Sequence, residues 1–188
     1  MDAIFNRGDA CPNASWNGFY ISFCPGLTTD DVTAHEWGHA YTGATNGLIY
    51  QWQSGALNES FSDIWGETVD RINGRDATAQ PDGPRTDGSC STYQQGTGDD
   101  SVRWLLGEDS TAPGLTGALR DMWNPNCAGD PASVRDDIYH CLESDNGGVH
   151  INSGVPNRAF SMMVDGATFN GYTVSGLGLT KAAHIHWA

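Results

Sequence analysis

The sequence predicts an α+β fold, with a small β-hairpin region and lead-in (1–34) ahead of a mainly helical body (35–188). Three observations predict it. An Asn-Gly pair separates two short β-prone runs near the start, helical periodicity with capping residues begins near Thr29, and that periodicity returns further down the chain. A length of 188 residues fits one domain able to bury a real core.

The first element is the hairpin, PNASW and FYISF around Asn17-Gly18, a pair that favours a two-residue turn. A turn centred there sets Trp16 opposite Phe19, Asn13 opposite Ser22 and Cys11 opposite Cys24. The last pair falls at a non-hydrogen-bonded position, where α-carbons lie about 4.5 Å apart and a disulfide closes. Cys11–Cys24 is therefore the expected bridge. Cys127 and Cys141 flank a polar loop and form the natural second pair, which leaves Cys90 either free or partnered outside this chain.

The helical body begins with TTDDVTAHEWGHAYTGA. Thr28 or Thr29 caps the helix, Asp30 and Asp31 suit the positive end of its dipole, and Gly43 ends it. After a loop containing LIYQWQ, a second helix is expected from about Ser54 to Asn73. Leu57, Phe61, Ile64, Trp65, Thr68 and Ile72 recur there at helical spacing, with Gly74 as C-cap. Residues 73–100 hold many breakers and read as a surface excursion, after which a helical pattern resumes at Trp104. A further helix is expected over 152–164, with Val155, Phe160, Met163 and Val164 on one face and Gly166 after it. TKAAHIHWA reads as a last helix.

Composition narrows the function. Nine Lys+Arg against 23 Asp+Glu give a net charge of −14, and Lys181 is the sole lysine. Such a surface repels nucleic-acid phosphates and anionic lipid, and attracts divalent cations. No apolar run approaches the roughly 18 residues of a spanning helix. Five cysteines and 24 glycines suit an exported, loop-rich protein, and the opening MDAIFNRGDA lacks a signal-peptide core.

Chemistry concentrates in His35-Glu36-Trp37-Gly38-His39, an HExxH pattern. Histidines at i and i+4 share a helix face, so both imidazoles reach one ion. Thr42 and Thr45 stand where a metzincin needs Gly and His, which removes that branch. On the next helix, Glu59 and Asp63 form a like-charge pair at i and i+4. A cation beside Glu59, and a histidine donating to Asp63, would turn that repulsion into a gain.

HEWGH, 19 residues, then the Glu of GALNESFSD resembles the thermolysin family of zinc endopeptidases. LIYQ, GALRDM and DNGGVHINSG agree with it in order, over about residues 11–188. Zinc aminopeptidases with the same histidine motif use a shorter spacing and an exopeptidase motif that is absent here. The resemblance implies a cleft floored by the HExxH helix, between the hairpin region and the helical body. It implies His35, His39 and Glu59 as zinc ligands, Glu36 as base, and Tyr50 and His150 as oxyanion donors. Asp145 would orient His150, and Asp63 and Asn58 would lie behind the ligands. Arg120 would hold a substrate carbonyl. Asn13, Ala14 and Trp16 would form an edge strand for peptide substrate, and Val32, Leu106 and Leu119 an apolar pocket beyond the scissile bond. For Tyr50 and Arg120 the competing readings are a packed aromatic and a structural ion pair.

The resemblance also places calcium carboxylates at Asp31, Asp70 and Glu108. Arg103 and Leu105 stand near where further acids belong, with Asp99 and Asp100 as replacements, and ordinary solvated acids are the competing reading. The family's β-rich lobe before the zinc helix and its last helices are not in this sequence. A complete enzyme, a processed core parted from a propeptide or flanking segments, and a fragment all stay open, as does a non-catalytic zinc-binding module. The implied activity is secreted, zinc-dependent hydrolysis of protein or peptide substrates.

Overall fold

A computed structural model describes residues 2–73, 81–86, 88–94, 96 and 98–187. Two helices, α1 (Asp30–Ala44) and α2 (Trp52–Asn73), cross closely and carry the site between them. Gly38 permits the approach, since a Cβ there would lie 2.8 Å from the Ser62 α-carbon. Helix α1 starts where its acids predict and runs one residue past Gly43. Thr29 holds the N-cap position without a side-chain bond. The Gly74 cap expected for α2 lies outside the described residues.

The apolar face expected on α2 is only partly the buried one: Ile64 and Thr68 are buried, and Phe61 and Trp65 half-buried. Leu57 and Ile72 are exposed, whereas Asn58, Glu59, Asp63 and Glu67 are buried together with Ile64. Helix α2 turns its polar side inward because the partners of those groups arrive from α1 and from later segments.

At the front stands a three-stranded sheet in the order β1-β3-β2, formed by β1 (Asp2–Ile4), β2 (Ala14–Trp16) and β3 (Tyr20–Phe23). Its hairpin register differs from expectation. Trp16 pairs with Ile21 and Ala14 with Phe23, so the two-residue loop is Gly18–Phe19. The Asn17 side-chain oxygen accepts the amides of Phe19 and Tyr20, and Gly18 takes φ +93°. This register buries Ile21 and Phe23 and leaves Phe19 at an exposed tip. Cys11–Cys24 forms regardless, because Cys11 lies before the ladder.

No helix begins at Trp104. That residue adopts φ 70°, and β4 (Leu105–Leu106) pairs antiparallel with β5 (Arg120–Asp121), followed by a 3-10 turn at Pro125–Ala128. Packing overrides the local pattern. The Trp104 indole is fully buried against Phe160 and donates to Asp165 at 2.6 Å.

The second disulfide also differs from expectation: Cys90 joins Cys127, and Cys141 is free and exposed. Buried Arg85 bonds Asp121 at 2.8 Å and the Ser89 carbonyl at 3.0 Å, which brings the excursion against β5 and sets Cys90 beside the following turn. The chain continues through α3 (Ser144–Asn152) and α4 (Gly154–Asp165), then an unanticipated hairpin of β6 (Gly166–Phe169) and β7 (Tyr172–Ser175), then α5 (Leu179–Trp187). Ile64, Trp104, Met122, Phe160, Val164 and Ala182 anchor the main core. Among the described residues no helix is long and apolar enough to cross a membrane.

Candidate active site

Helix α1 sets His35 and His39 one turn apart, and α2 brings Glu59, which is fully buried, against both. The two Nε2 atoms lie 3.0 Å apart, and Glu59 approaches them at 3.6 and 3.3 Å. Their outer nitrogens decide what those inner atoms offer. His35 Nδ1 lies 2.7 Å from the Asp63 carboxylate, so it carries the proton. Asn58 donates its amide to the Leu48 carbonyl and turns its oxygen to His39 Nδ1 at 2.7 Å, which fixes that proton as well. Two imidazole lone pairs and a carboxylate therefore face one point, all acceptors.

Three converging acceptors need a proton or a metal ion. Burial alone would lower the affinity of His39 for a proton, but the hydrogen bond and charge of Glu59 lift it to about 9. Burial likewise penalises ionised Glu59, and His39, His35 and His150 outweigh it, holding the carboxyl well below its ordinary range. One Glu59 oxygen is buried without a hydrogen-bond partner. Two neutral imidazoles and a carboxylate form the donor set of a catalytic zinc site, so the residues fit that ion.

Other groups converge on the same place. Tyr50 donates to Glu59, and its hydroxyl lies 3.0 Å from His150 Nε2. Burial and the Glu59 charge push the phenol up, so it stays a donor. His150 is held from behind by Asp145, at 2.5 Å to Nδ1 and 2.9 Å to the backbone amide. The local sequence makes that grip possible. Residues 145–148, Asp-Asn-Gly-Gly, are all left-handed, a conformation these residue types tolerate best. A Cβ on Gly147 would strike the Trp52 ring at 2.4 Å.

Arg120 on β5 grips Asp63 in a two-point bond of 2.8 and 2.6 Å and comes within 3.7 Å of Glu59. Burial works against its charge, and Asp63 and Glu59 overcome that. A cleft of about 600 Å³ collects these groups. Glu36 lines it, 4% exposed and with one carboxylate oxygen buried and unpartnered. Ala14 and Trp16 on the sheet's edge strand and Asn13 just before it line one wall, and Val32, Leu106 and Leu119 line an apolar end. The expected site residues thus meet in one place, except the acids assigned to calcium.

Those acids form a second cluster of different membership. Asp31, Glu67 and Glu108 bring ligand atoms within 4.8 Å of one another, and Asp70 lies outside that trio. Asp99 does not join it, being turned to the Ser101 amide and Arg85. Arg103 is paired with Asp165, and Leu105 is core. Glu67 escaped sequence reasoning, although it stands four residues past Asp63 and so continues the face begun by Glu59. Burial, then Asp31, pushes Glu108 up to about 10, and burial, then Glu108, drives Glu67 well above its ordinary range.

A cleft floored by an HExxH helix, with a carboxylate from the next helix against both histidines, places the chain among the metallopeptidases. Residues 46–188 match the model described as "Thermolysin metallopeptidase, alpha-helical domain", and the chain belongs to the thermolysin metallopeptidase family. It is 38% identical to a zinc metalloproteinase of Renibacterium salmoninarum over 97% of this chain and 30% of that protein. Against a thermolysin of Alicyclobacillus acidocaldarius it is 36% identical over 93% of this chain and 29% of that one. The chain thus spans about 30% of the length of these curated relatives. A solved precursor of protealysin from Serratia proteamaculans superposes with a TM-score of 0.60 at 33% identity, covering 85% of this chain and 48% of that one.

Proposed function

We propose that residues 1–188 form one catalytic core of an exported zinc endopeptidase that hydrolyses peptide bonds within protein or peptide substrates. The observation that carries this reading is the convergence of two imidazole lone pairs and the Glu59 carboxylate beside an unpartnered glutamate in an open cleft. His35, His39 and Glu59 would hold the ion. When bound, zinc supplies a Lewis acid that polarises the scissile carbonyl and makes water a nucleophile near neutral pH. Glu36 takes the proton from the attacking water and passes it to the leaving amine. Tyr50 and His150, whose polar atoms now meet at Glu59, are the donors for the oxyanion, and Asp145 keeps the His150 ring in place. Edge strand β2 offers backbone groups to an extended substrate, Arg120 a cation for its carbonyl, and the Val32–Leu106–Leu119 end a place for a bulky apolar side chain. Two disulfides support export.

The trio Asp31, Glu67 and Glu108 is the proposed calcium site, supported by buried, unpartnered oxygens on Glu67 and Glu108. The alternative of a non-catalytic zinc module leaves Glu36, Tyr50 and His150 without a purpose in the cleft. Peptide cleavage with and without chelator, with products mapped by mass spectrometry, separates the two readings. Internal cuts that vanish with chelator support the peptidase, and zinc binding without cleavage supports the module.

A further inference from the structure

Four nitrogens approach the Asp63 carboxylate within 2.8 Å, two at each oxygen. His35 Nδ1 at 2.7 Å and an Arg120 nitrogen at 2.6 Å reach Oδ1, while Arg120 Nε at 2.8 Å and Asn157 Nδ2 at 2.7 Å reach Oδ2. The fourth donor comes from α4, 94 residues away in sequence. Asn157 is 1% exposed, and its own side-chain oxygen is buried without a partner. A buried amide that satisfies only its donor end is kept for that donor, because an unpaired acceptor opposes burial. Its orientation is also dictated, since the reversed amide would set oxygen against the Asp63 carboxylate.

We propose that Asn157 is a positioning residue of the metal centre, a role that rests on the zinc peptidase reading. It completes the shell of Asp63 and fixes the carboxylate plane. That plane orients the His35 imidazole on one side and the Arg120 guanidinium on the other. With Asn157 in place, His35 keeps its proton on Nδ1 and its lone pair toward Glu59. Without it, one Asp63 oxygen loses a partner in a closed site, and the carboxylate rotates toward Arg120 at the expense of His35. Partners behind a ligating histidine set metal affinity in this manner.

The test compares Asn157→Leu, which fills the space without a donor, with Asn157→Ser, which keeps a donor but loses volume. Both are made in the full 188-residue chain. Three quantities are read: the His35 tautomer by imidazole ¹⁵N NMR on metal-free protein, zinc affinity by chelator competition, and kcat against KM. Positioning predicts that Leu weakens zinc binding about tenfold to a hundredfold. It also predicts a mixed His35 tautomer and a fall in kcat with KM unchanged, with Ser closer to wild type on every count. A packing role predicts the reverse order, Ser worse than Leu, with the His35 tautomer unchanged in both, and overturns the proposal. If the wild-type chain neither binds zinc nor cleaves peptide, the peptidase reading fails, while the metal-free tautomer still decides the role of Asn157.

Discussion

Two buried carboxylate clusters share the same pair of helices and differ in how their charge is met. At one, Glu59 and Asp63 are fully buried yet held below their ordinary range, because imidazoles and the Arg120 guanidinium outweigh burial. One turn along each helix, Asp31 and Glu67 are equally buried and pushed up, as is Glu108 beside them. Residue type and helical spacing are alike in the two. The difference lies in the partners: His35 and His39 from α1 with His150 and Arg120 from later elements at the first, another acid, Glu108, at the second. The first cluster pairs its charges within the protein, whereas the second needs protons or an added cation.

The largest expected effect tests the division of labour in the compensated cluster. Glu36→Gln should lower turnover by about 10²–10⁴-fold while the protein keeps one zinc, because base and ligands are different residues. Glu59→Ala should lose both, and metal analysis of the two variants distinguishes them. A Glu36→Gln protein devoid of zinc would sink the separation.

Next comes His150→Ala, for which kcat should fall about 10²–10³-fold with little change in KM, as for loss of an oxyanion donor. Steady-state kinetics on one peptide suffices. A change confined to KM would make His150 a ground-state contact.

The two clusters should respond to pH with opposite signs. For Glu59 and Asp63, lowered in the folded protein, stability is present above their ordinary values and is lost as pH falls. For the second cluster the folded carboxyls retain protons that the unfolded chain releases, starting from ordinary values of 3.8 and 4.5. Metal-free stability should therefore drop as pH rises toward about 10 for Glu108, and Asp70, outside the trio but raised by burial and by Asp30 and Asp31, adds a drop toward about 7. Calcium should reverse that drop, by about 2.7 kcal/mol at a hundred times its dissociation constant. Glu67→Gln should raise Tm in chelator and erase most of the calcium increment. Thermal melts at pH 5 and 8 read both, and an unchanged calcium increment in Glu67→Gln would remove Glu67 from the site.

The smallest effect concerns the apolar end of the cleft. Leu, Ile, Val or Phe should dominate after the cut in a peptide library, with one methylene shifting kcat/KM by about 1–3 kcal/mol. Enrichment of charged residues there would show that Val32, Leu106 and Leu119 do not line that subsite.

What was legible in the sequence follows from how local each signal is. The His35–His39 spacing is set by neighbouring residues and appears where the sequence places it, whereas the left-handed conformation of Asp-Asn-Gly-Gly behind His150 is equally local but was not foreseen. The Cys11–Cys24 bridge was also legible, although the hairpin register behind it was shifted by the Asn17 side chain and Gly18. Contacts between distant segments were not. Cys90 meets Cys127 because Arg85 ties the excursion to Asp121, and no spacing encodes that tie. The polar buried face of α2 defeated a periodicity count that credits only apolar residues, and Glu67 went unnoticed with it. Trp104 carried a helical pattern but follows its core partners instead.

Anomalous diffraction at the zinc absorption edge, from crystals of the chain grown with zinc and calcium together, tests the account most directly. It predicts one strong peak within coordination distance of His35 Nε2, His39 Nε2 and Glu59, and no zinc signal among Asp31, Glu67 and Glu108. A zinc peak at the acidic trio, with none between the histidines, would contradict it.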